Sequence, residues 1–307
     1  VTSAMPEIAT STTSATTAPA TTTPAGGAGP APIHQGPRLG ARLRRGPIYV
    51  FLTICSVASV FPLFFMVVSA TNTSNDVLAS RLLPGSHFMD NLRSLASTTN
   101  LVPALGYSAA IALATTVLAL LVCSLAGYGF EIYHSRAKDA VMAVLLLAMM
   151  IPFAATMIPL FRLFAGLGMI NSLWAVVIPA VSTPFLILLF RQASRSFPHE
   201  VLEAARLDGL SEIGIFLRIY VPTMKSTYAA AAVVTFMTAW NNFLWPRIIL
   251  VDSDVQTMPL LISNLSAGYI TNYGVLMLAV LLASLPAMIV FLALQRSFAN
   301  GIMGALK

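Results

Sequence analysis

Six stretches of this chain, at 47–70, 104–130, 140–161, 172–190, 227–250 and 273–295, carry between them one charged side chain, Arg247. A helix that crosses a bilayer needs roughly 20 mostly apolar residues, because backbone groups inside lipid must find their hydrogen bonds within the segment itself. The pattern therefore restricts the fold to an all-α integral membrane protein with six transmembrane helices. Only "RLFAGLGMIN" (Arg162 to Asn171) separates the third stretch from the fourth, so one re-entrant pair is the alternative to two spans there. Composition agrees: 57% of the residues are hydrophobic and 9% are charged, with a mean hydropathy of +0.81. A soluble protein carries about 25% charged residues, and a surface this poor in charge cannot be solvated by water.

Lys and Arg orient such a chain, since cytoplasmic loops hold the excess. With the amino terminus inside, the inner segments contain thirteen of the seventeen, and only Arg81, Arg93, Arg162 and Arg247 fall elsewhere. Both termini are then expected in the cytoplasm. Residues 1–46, rich in Thr, Ala, Pro, Ser and Gly, cannot bury a core and read as a disordered cytoplasmic tail. The basic cluster Arg38, Arg42, Arg44 and Arg45 precedes an apolar run too long for the core of a signal peptide. A first span at 47–70, an extracytoplasmic loop at 71–103, a core of five further helices at 104–295 and a cytoplasmic tail at 296–307 complete the division. The net charge of +6 does not point to nucleic acid, because the basic residues form no runs interleaved with aromatics. Cys55 and Cys123 lie far apart in apolar stretches and read as buried thiols.

Prolines recur within the spans at Pro62, Pro152, Pro159, Pro179, Pro184 and Pro286. Each removes a backbone donor and bends its helix unless a neighbouring group satisfies the freed carbonyl. Polar groups inside a membrane are costly without partners or a watery cavity, which singles out Asn241 and Asn242 beside Trp240. They suit a substrate pathway, with amides bonding hydroxyls and an indole face stacking on a ring; bonds between helices are the competing use. Trp245 is expected as an anchor near the outer interface.

The segment from Arg191 to Lys225 is too long for a minimal turn between antiparallel spans. Ser196 is a candidate cap for a helix over 198–207, with Asp208-Gly209 as its stop. Ser211 then starts a second helix over 211–220, which Pro222 is expected to end. In it Ile213, Phe216, Leu217 and Tyr220 form one apolar stripe by their spacing. Ala204 and Ala205 keep the first helix thin enough for another surface to approach, and Gly209 permits the turn by taking positive φ. A docking knob and an amphipathic hairpin lying on lipid both fit these properties.

Glu203-Ala204-Ala205, three residues, Gly209, nine residues, then Ile219, Tyr220, Val221 and Pro222 resemble the EAA loop of permease subunits in binding-protein-dependent ABC importers, with Val221 where that pattern has Leu. "MIPFAATMIPLFRLFAGLGMINSLWAVVIP", "AWNNFLWPRIIL" and "QRSFANGIMGALK" resemble the maltose-type, carbohydrate-importing branch, so that the likeness covers residues 50–307. The resemblance implies a type I ABC importer permease fold with a cytoplasmic coupling helix over 196–222. It also implies a second homologous permease, two cytoplasmic ATPase subunits, an extracytoplasmic substrate-binding protein and a carbohydrate substrate. Glu203 would anchor the ATPase, Ala204 and Ala205 would permit close packing, and Gly209 would set the turn. Asp208, Ile219 and Pro222 complete the coupling set, and the carboxyl tail from Asn300 to Lys307 would reach toward the ATPase dimer. A permease for a non-sugar solute, and a membrane scaffold docking a cytoplasmic protein, are the alternatives.

Lys138, Lys225 and Lys307 do not follow the glycine spacing of a phosphate-cradling loop, so the chain is expected to bind no cofactor itself. ATP and magnesium would be held by the partner ATPases. No His-Glu-x-x-His or Gly-x-Ser-x-Gly pattern occurs, and Glu131 with His134 lacks the further carboxylates of a di-iron site. That pair reads as a solvated inner loop, and Asp252 with Asp254 as a polar outer turn.

Overall fold

The computed structural model describes the backbone of residues 39–268 and 271–305 and the side chains of residues 47–268 and 271–295. The tail expected over 1–46 falls outside this range up to residue 38, but the helix expected from 47 already begins at Leu39. The chain divides into two units, residues 1–56 and 57–307. In the first, the described residues are helical, and Pro47–Ser56 presents exposed side chains. Cys55, expected buried, is exposed there.

The helices in chain order are α1 (Leu39–Ala70), α2 (Ser74–Leu78), α3 (Phe88–Thr98), α4 (Leu101–Ile132), α5 (Arg136–Ala148) and α6 (Phe153–Gly166). There follow α7 (Leu173–Val181), α8 (Pro184–Arg195), α9 (His199–Leu207) and α10 (Glu212–Ile215). A π-helical turn (Phe216–Tyr220) leads into α11 (Val221–Thr223), α12 (Lys225–Trp240), α13 (Leu244–Ile249), α14 (Met258–Ser266) and α15 (Tyr273–Ala305). No strand occurs among the described residues. The tail expected over 296–307 continues α15 as far as Ala305.

Three helical stretches are individually long and apolar enough to cross a membrane: Pro47–Ala70 of α1, α4, and Tyr273–Gln295 of α15. Two bent pairs bring the number to as many as five. The third expected span is the first of these, α5 and α6, bent by 100°. Pro152 caps α6 at the break and cannot donate to the turn before it. The fourth is α7 and α8, bent by 43° across Ser182 and Thr183 with Pro184 opening α8. The fifth, expected over 227–250, is also interrupted: α12 has 16 residues and ends where Asn241 turns its amide back onto the Met237 carbonyl at 2.9 Å. Pro62 and Pro286 lie inside helices that continue through them.

α4 is the post around which the second unit is built. At 1.5 Å per residue its 32 residues extend about 48 Å. Ala119 and Cys123 pack with Leu186, Ile187 and Phe190 of α8, and Ala112 packs with Phe236 and Trp240 of α12. At Gly127 the approach to α8 is so close that a Cβ would lie 2.7 Å from the Arg191 nitrogen and 2.9 Å from the Ile187 oxygen. The Cys123 thiol is buried and donates to the Val181 carbonyl at 3.4 Å, on the lip of the α7–α8 break.

Trp245 is a correction. Expected as an interfacial anchor, it is 1% exposed and packs edge-on to Phe153 and Phe164. Its Nε1 donates to the Ala175 carbonyl at 2.8 Å. Pro179 lies four residues after Ala175 in α7 and cannot supply that carbonyl's helical donor, so the indole takes the place of the missing N–H.

Loops collect at the two ends of α4. At its beginning, Asn100 donates to Asp254 at 3.2 Å, and the Asn171 side chain accepts the backbone N–H groups of Val251 and Asp252 at 2.7 and 3.0 Å. At its end, Glu131 and the turn after it meet α8 and the segment that follows. The connections read from charge as sharing a side thus share an end of the bundle.

Candidate functional site

The segment after α8 folds into a knob of two short helices and a π-helical turn. α9 ends in a Schellman arrangement: Gly209, at φ +80°, donates to the Arg206 carbonyl, and Leu210 donates to the Ala205 carbonyl at 3.1 Å. Ser211 starts α10 as expected, its hydroxyl accepting the Gly214 N–H at 3.2 Å. Ser196 does not cap α9. It closes α8, its hydroxyl bonded to the Ala193 carbonyl at 2.7 Å, and Pro198 occupies the cap of α9. Pro222 does not end the second arm either, because the chain widens into the π-helical turn just before it, and α11 runs through it.

The expected apolar stripe is buried only in part. Ile215, Phe216 and Tyr220 point inward, while Ile213 and Leu217, expected in the same stripe, are exposed. Phe216 and Tyr220 stack with ring centres 5.4 Å apart, and both meet the edge of Tyr128 near the end of α4, at 5.3 and 4.8 Å. Leu202 and Ala205 of α9, with Ala193 and Phe197, complete this core. The Tyr220 hydroxyl pairs with Ser194 of α8 at 2.7 Å, and burial pushes its pKa up to about 12, so it stays a neutral hydrogen-bonding group. Arg206 binds Glu212 at 2.8 Å across the two arms, and that guanidinium holds the Glu212 carboxyl below its ordinary value.

The site residues read from sequence divide by face. Ala205 is buried inside the knob, whereas Glu203, Ala204, Asp208 and Gly209 are exposed, as is Pro222; Ile219 is half-buried. Glu203 forms no hydrogen bond or ion pair among the described residues. Around it the knob presents Leu207, at 89% exposure, with Ile213 and Leu217.

At the other candidate site Trp240, Asn241 and Asn242 do not share one cavity. Asn241 lines a space of about 670 Å³ between α12, α14 and α15, with Ser263, Ser266 and Ser284. Trp240 borders the same space but is itself buried, its face on Phe236 and its Nε1 bonded to the Ala283 carbonyl at 3.0 Å. Asn242 lines a second cavity of about 200 Å³ by the α7–α8 break, with Thr115, Thr183, Thr235 and Thr238. Thr115 is buried and its hydroxyl has no partner, in contrast to Thr116, which bonds back to Ala112. Neither lining contains an ionisable side chain.

Sequence reading missed an ionic cluster at the end of α4. Arg191 is buried and reaches Glu131 at 3.1 Å and Asp139 at 2.5 Å; Arg195 takes the other oxygen of Glu131, and His134 that of Asp139. Opposite charges flanking apolar stretches carried the signal, but Arg191 and Arg195 were used only to orient the chain, Glu131 and His134 were weighed only as a metal pair, and Asp139 was passed over. Glu131 is therefore a half-buried member of this cluster at the end of α4 rather than part of a solvated loop, while His134 is exposed in the loop that follows, and no metal-binding cluster occurs among the described residues.

Residues 119–304, which contain the knob, the ionic cluster and all the residues lining the two cavities except Thr115, match the family described as binding-protein-dependent transport system inner membrane component. This chain belongs to that family. Among similar inner membrane components, the lactose transport system permease protein LacG of Rhizobium radiobacter is 44% identical over 84% of this chain and 95% of its own length. The arabinooligosaccharides transport system permease protein AraQ of Bacillus subtilis (strain 168) is 33% identical over 84% and 94%. The sn-glycerol-3-phosphate transport system permease protein UgpE of Pectobacterium atrosepticum is 31% identical over 84% and 96%. A chain in the crystal structure of a bacterial ABC transporter involved in the import of the acidic polysaccharide alginate superposes with a TM-score of 0.75 at 20% identity, covering 85% of this chain and 98% of that one. The fold of this inner membrane component is accordingly that of a type I ABC importer permease.

Proposed function

We propose that this permease, paired with a second permease subunit, forms the pathway by which an uncharged carbohydrate crosses the bacterial plasma membrane, driven by ATPase subunits that hold ATP and magnesium on the cytoplasmic side. An extracytoplasmic binding protein delivers the solute. The observation that carries the substrate class is the wholly un-ionised lining of both cavities, mostly apolar and aromatic with a few hydroxyls and amides among them. Hydroxyls and amides bond sugar hydroxyls without a charge to desolvate, whereas a phosphate or carboxylate calls for Arg or Lys. The 44% identity to a lactose permease agrees.

Both termini and the knob lie in the cytoplasm by the charge bias, and the knob is the part that the ATPase grips. Its outer face combines exposed Leu207, Ile213 and Leu217 with the unpartnered carboxylate of Glu203. Such a face suits a protein cleft better than anionic lipid, which Glu200, Glu203 and Asp208 would oppose. Ala204 keeps the contact shallow, and Asp208 with Gly209 sets the angle between the arms. Ile219 packs on the core of the knob, and Pro222 stays exposed beside it. Asn241 and Asn242 contact the solute from their two cavities, with Trp240 fixing the wall between α12 and α15.

The test is uptake by the complete importer in proteoliposomes, with labelled lactose, an arabinose oligosaccharide and sn-glycerol 3-phosphate offered separately. Uptake of a neutral sugar and refusal of the phosphate ester are expected. Preference for the ester would overturn the substrate class, and uptake unchanged in Asn241→Ala and Asn242→Ala would remove these residues from the pathway.

A further inference from the structure

We infer that Arg191 is a positioning residue, the pin that makes α4, α5 and α8 respond as one body when the knob is displaced. This rests on the proposed coupling role of the knob and names the device that passes its movement on. Arg191 stands in α8 one turn before its end, 5% exposed, with a carboxylate on each of two other elements: Glu131 in the last turn of α4 and Asp139 in the first turn of α5. The remaining oxygens are occupied, Glu131 by Arg195 at 3.4 Å and Asp139 by His134 at 2.9 Å. A guanidinium is the side chain suited to such a bridge, because its planar fork directs separate N–H groups at two acceptors, where an ammonium acts as a point charge.

The same helix ends hold the knob. Tyr128, one turn before Glu131, receives Phe216 and Tyr220, and Ser194, next to Arg195, binds the Tyr220 hydroxyl. Between them Gly127 lets α4 and α8 touch backbone to backbone. A push on the knob therefore reaches α4 and α8 together through rings that cannot slide independently. The α5–α6 pair is bent by 100° and leaves this body at Tyr133–Ser135, so its first turn needs a tie of its own. The ion pair of Arg191 with Asp139 supplies it, beside the bonds of Lys138 to the carbonyls of Gly129 and Tyr133 at 2.9 and 2.6 Å. Arg191 itself is buried, so it depends on these carboxylates, while Asp139 remains 44% exposed at the edge of the cluster.

The experiment measures lactose taken up per ATP hydrolysed by the complete importer in proteoliposomes, for wild type, Asp139→Asn, Arg191→Lys and Arg191→Gln. Asp139→Asn and Arg191→Gln should assemble in wild-type stoichiometry and keep basal hydrolysis, with uptake per ATP lowered on the order of tenfold. Arg191→Lys, a charge without the fork, should fall between. Wild-type uptake per ATP in Asp139→Asn and Arg191→Gln would overturn the inference. So would loss of assembly in all three, or loss in Arg191→Gln with normal coupling in Asp139→Asn and Arg191→Lys, since either makes the cluster a folding element alone. If the wild-type importer takes up no neutral sugar, the substrate reading fails instead; the ratio is then read with the solute it does carry.

Discussion

Single residues show where local rules hold and where they yield. Gly209 sits at φ +80°, and a Cβ there would meet nothing within 4 Å. The cost of Gly209→Ala is therefore purely conformational, about 1 kcal/mol. Hydrogen exchange across residues 199–215 should show that loss of protection, with Gly209→Asn milder; equal protection in both variants would contradict the turn. Trp245→Phe keeps most of the packing but strands the Ala175 carbonyl that Pro179 cannot serve. An unsatisfied buried acceptor costs about 1–3 kcal/mol, to be read from denaturation of the purified subunit. The turn at Gly209 was legible in the sequence because positive φ and the residue that tolerates it are local properties. The burial of Trp245 was not, since the group it satisfies lies 70 positions away.

Elements were legible where a helix is continuous and illegible where it is interrupted. α4 and α15 follow from uncharged length alone. Pro152 and Pro184 were legible as bends, but how sharply the chain turns there, and the stop after α12, were not, because an apolar composition persists across all three breaks. In the knob both arms were anticipated, and Phe216 and Tyr220 are buried as their four-residue spacing indicates; the expected stripe fails at Ile213 and Leu217, which are exposed, and Ile215 is buried instead. The two arms are tied by Arg206 and Glu212, whose carboxyl titrates below its ordinary 4.5. A lowered folded-state value gives stability that is fully present above 4.5 and lost as pH falls through the lowered value. Knob protection against exchange, corrected for intrinsic rate, should therefore weaken on acidification through that window, and Glu212→Gln should flatten the dependence. Gly127→Val should drive α4 from α8, since backbone atoms rather than flexible side chains stand in the way, and assembled complex should be reduced in yield.

At the scale of the whole molecule, large apolar side chains stay exposed along α4, α5, α6 and α15, as a surrounding bilayer requires, and polar residues gather where loops meet at the two ends of α4. Charge asymmetry in the sequence anticipated which loops would meet, because orientation in a membrane is set by sparse residues that nothing else demands. It could not show that those charges also pair across the bundle. The account places solute in uncharged cavities near the broken helices and energy entry at the knob, far along the same post. Uptake and ATP hydrolysis measured together in proteoliposomes for wild type and Glu203→Ala test that division most directly. A membrane-inserted Glu203→Ala subunit whose complex hydrolyses ATP but accumulates at least about tenfold less sugar is the expected result; wild-type uptake and ATPase association in this variant would contradict the account.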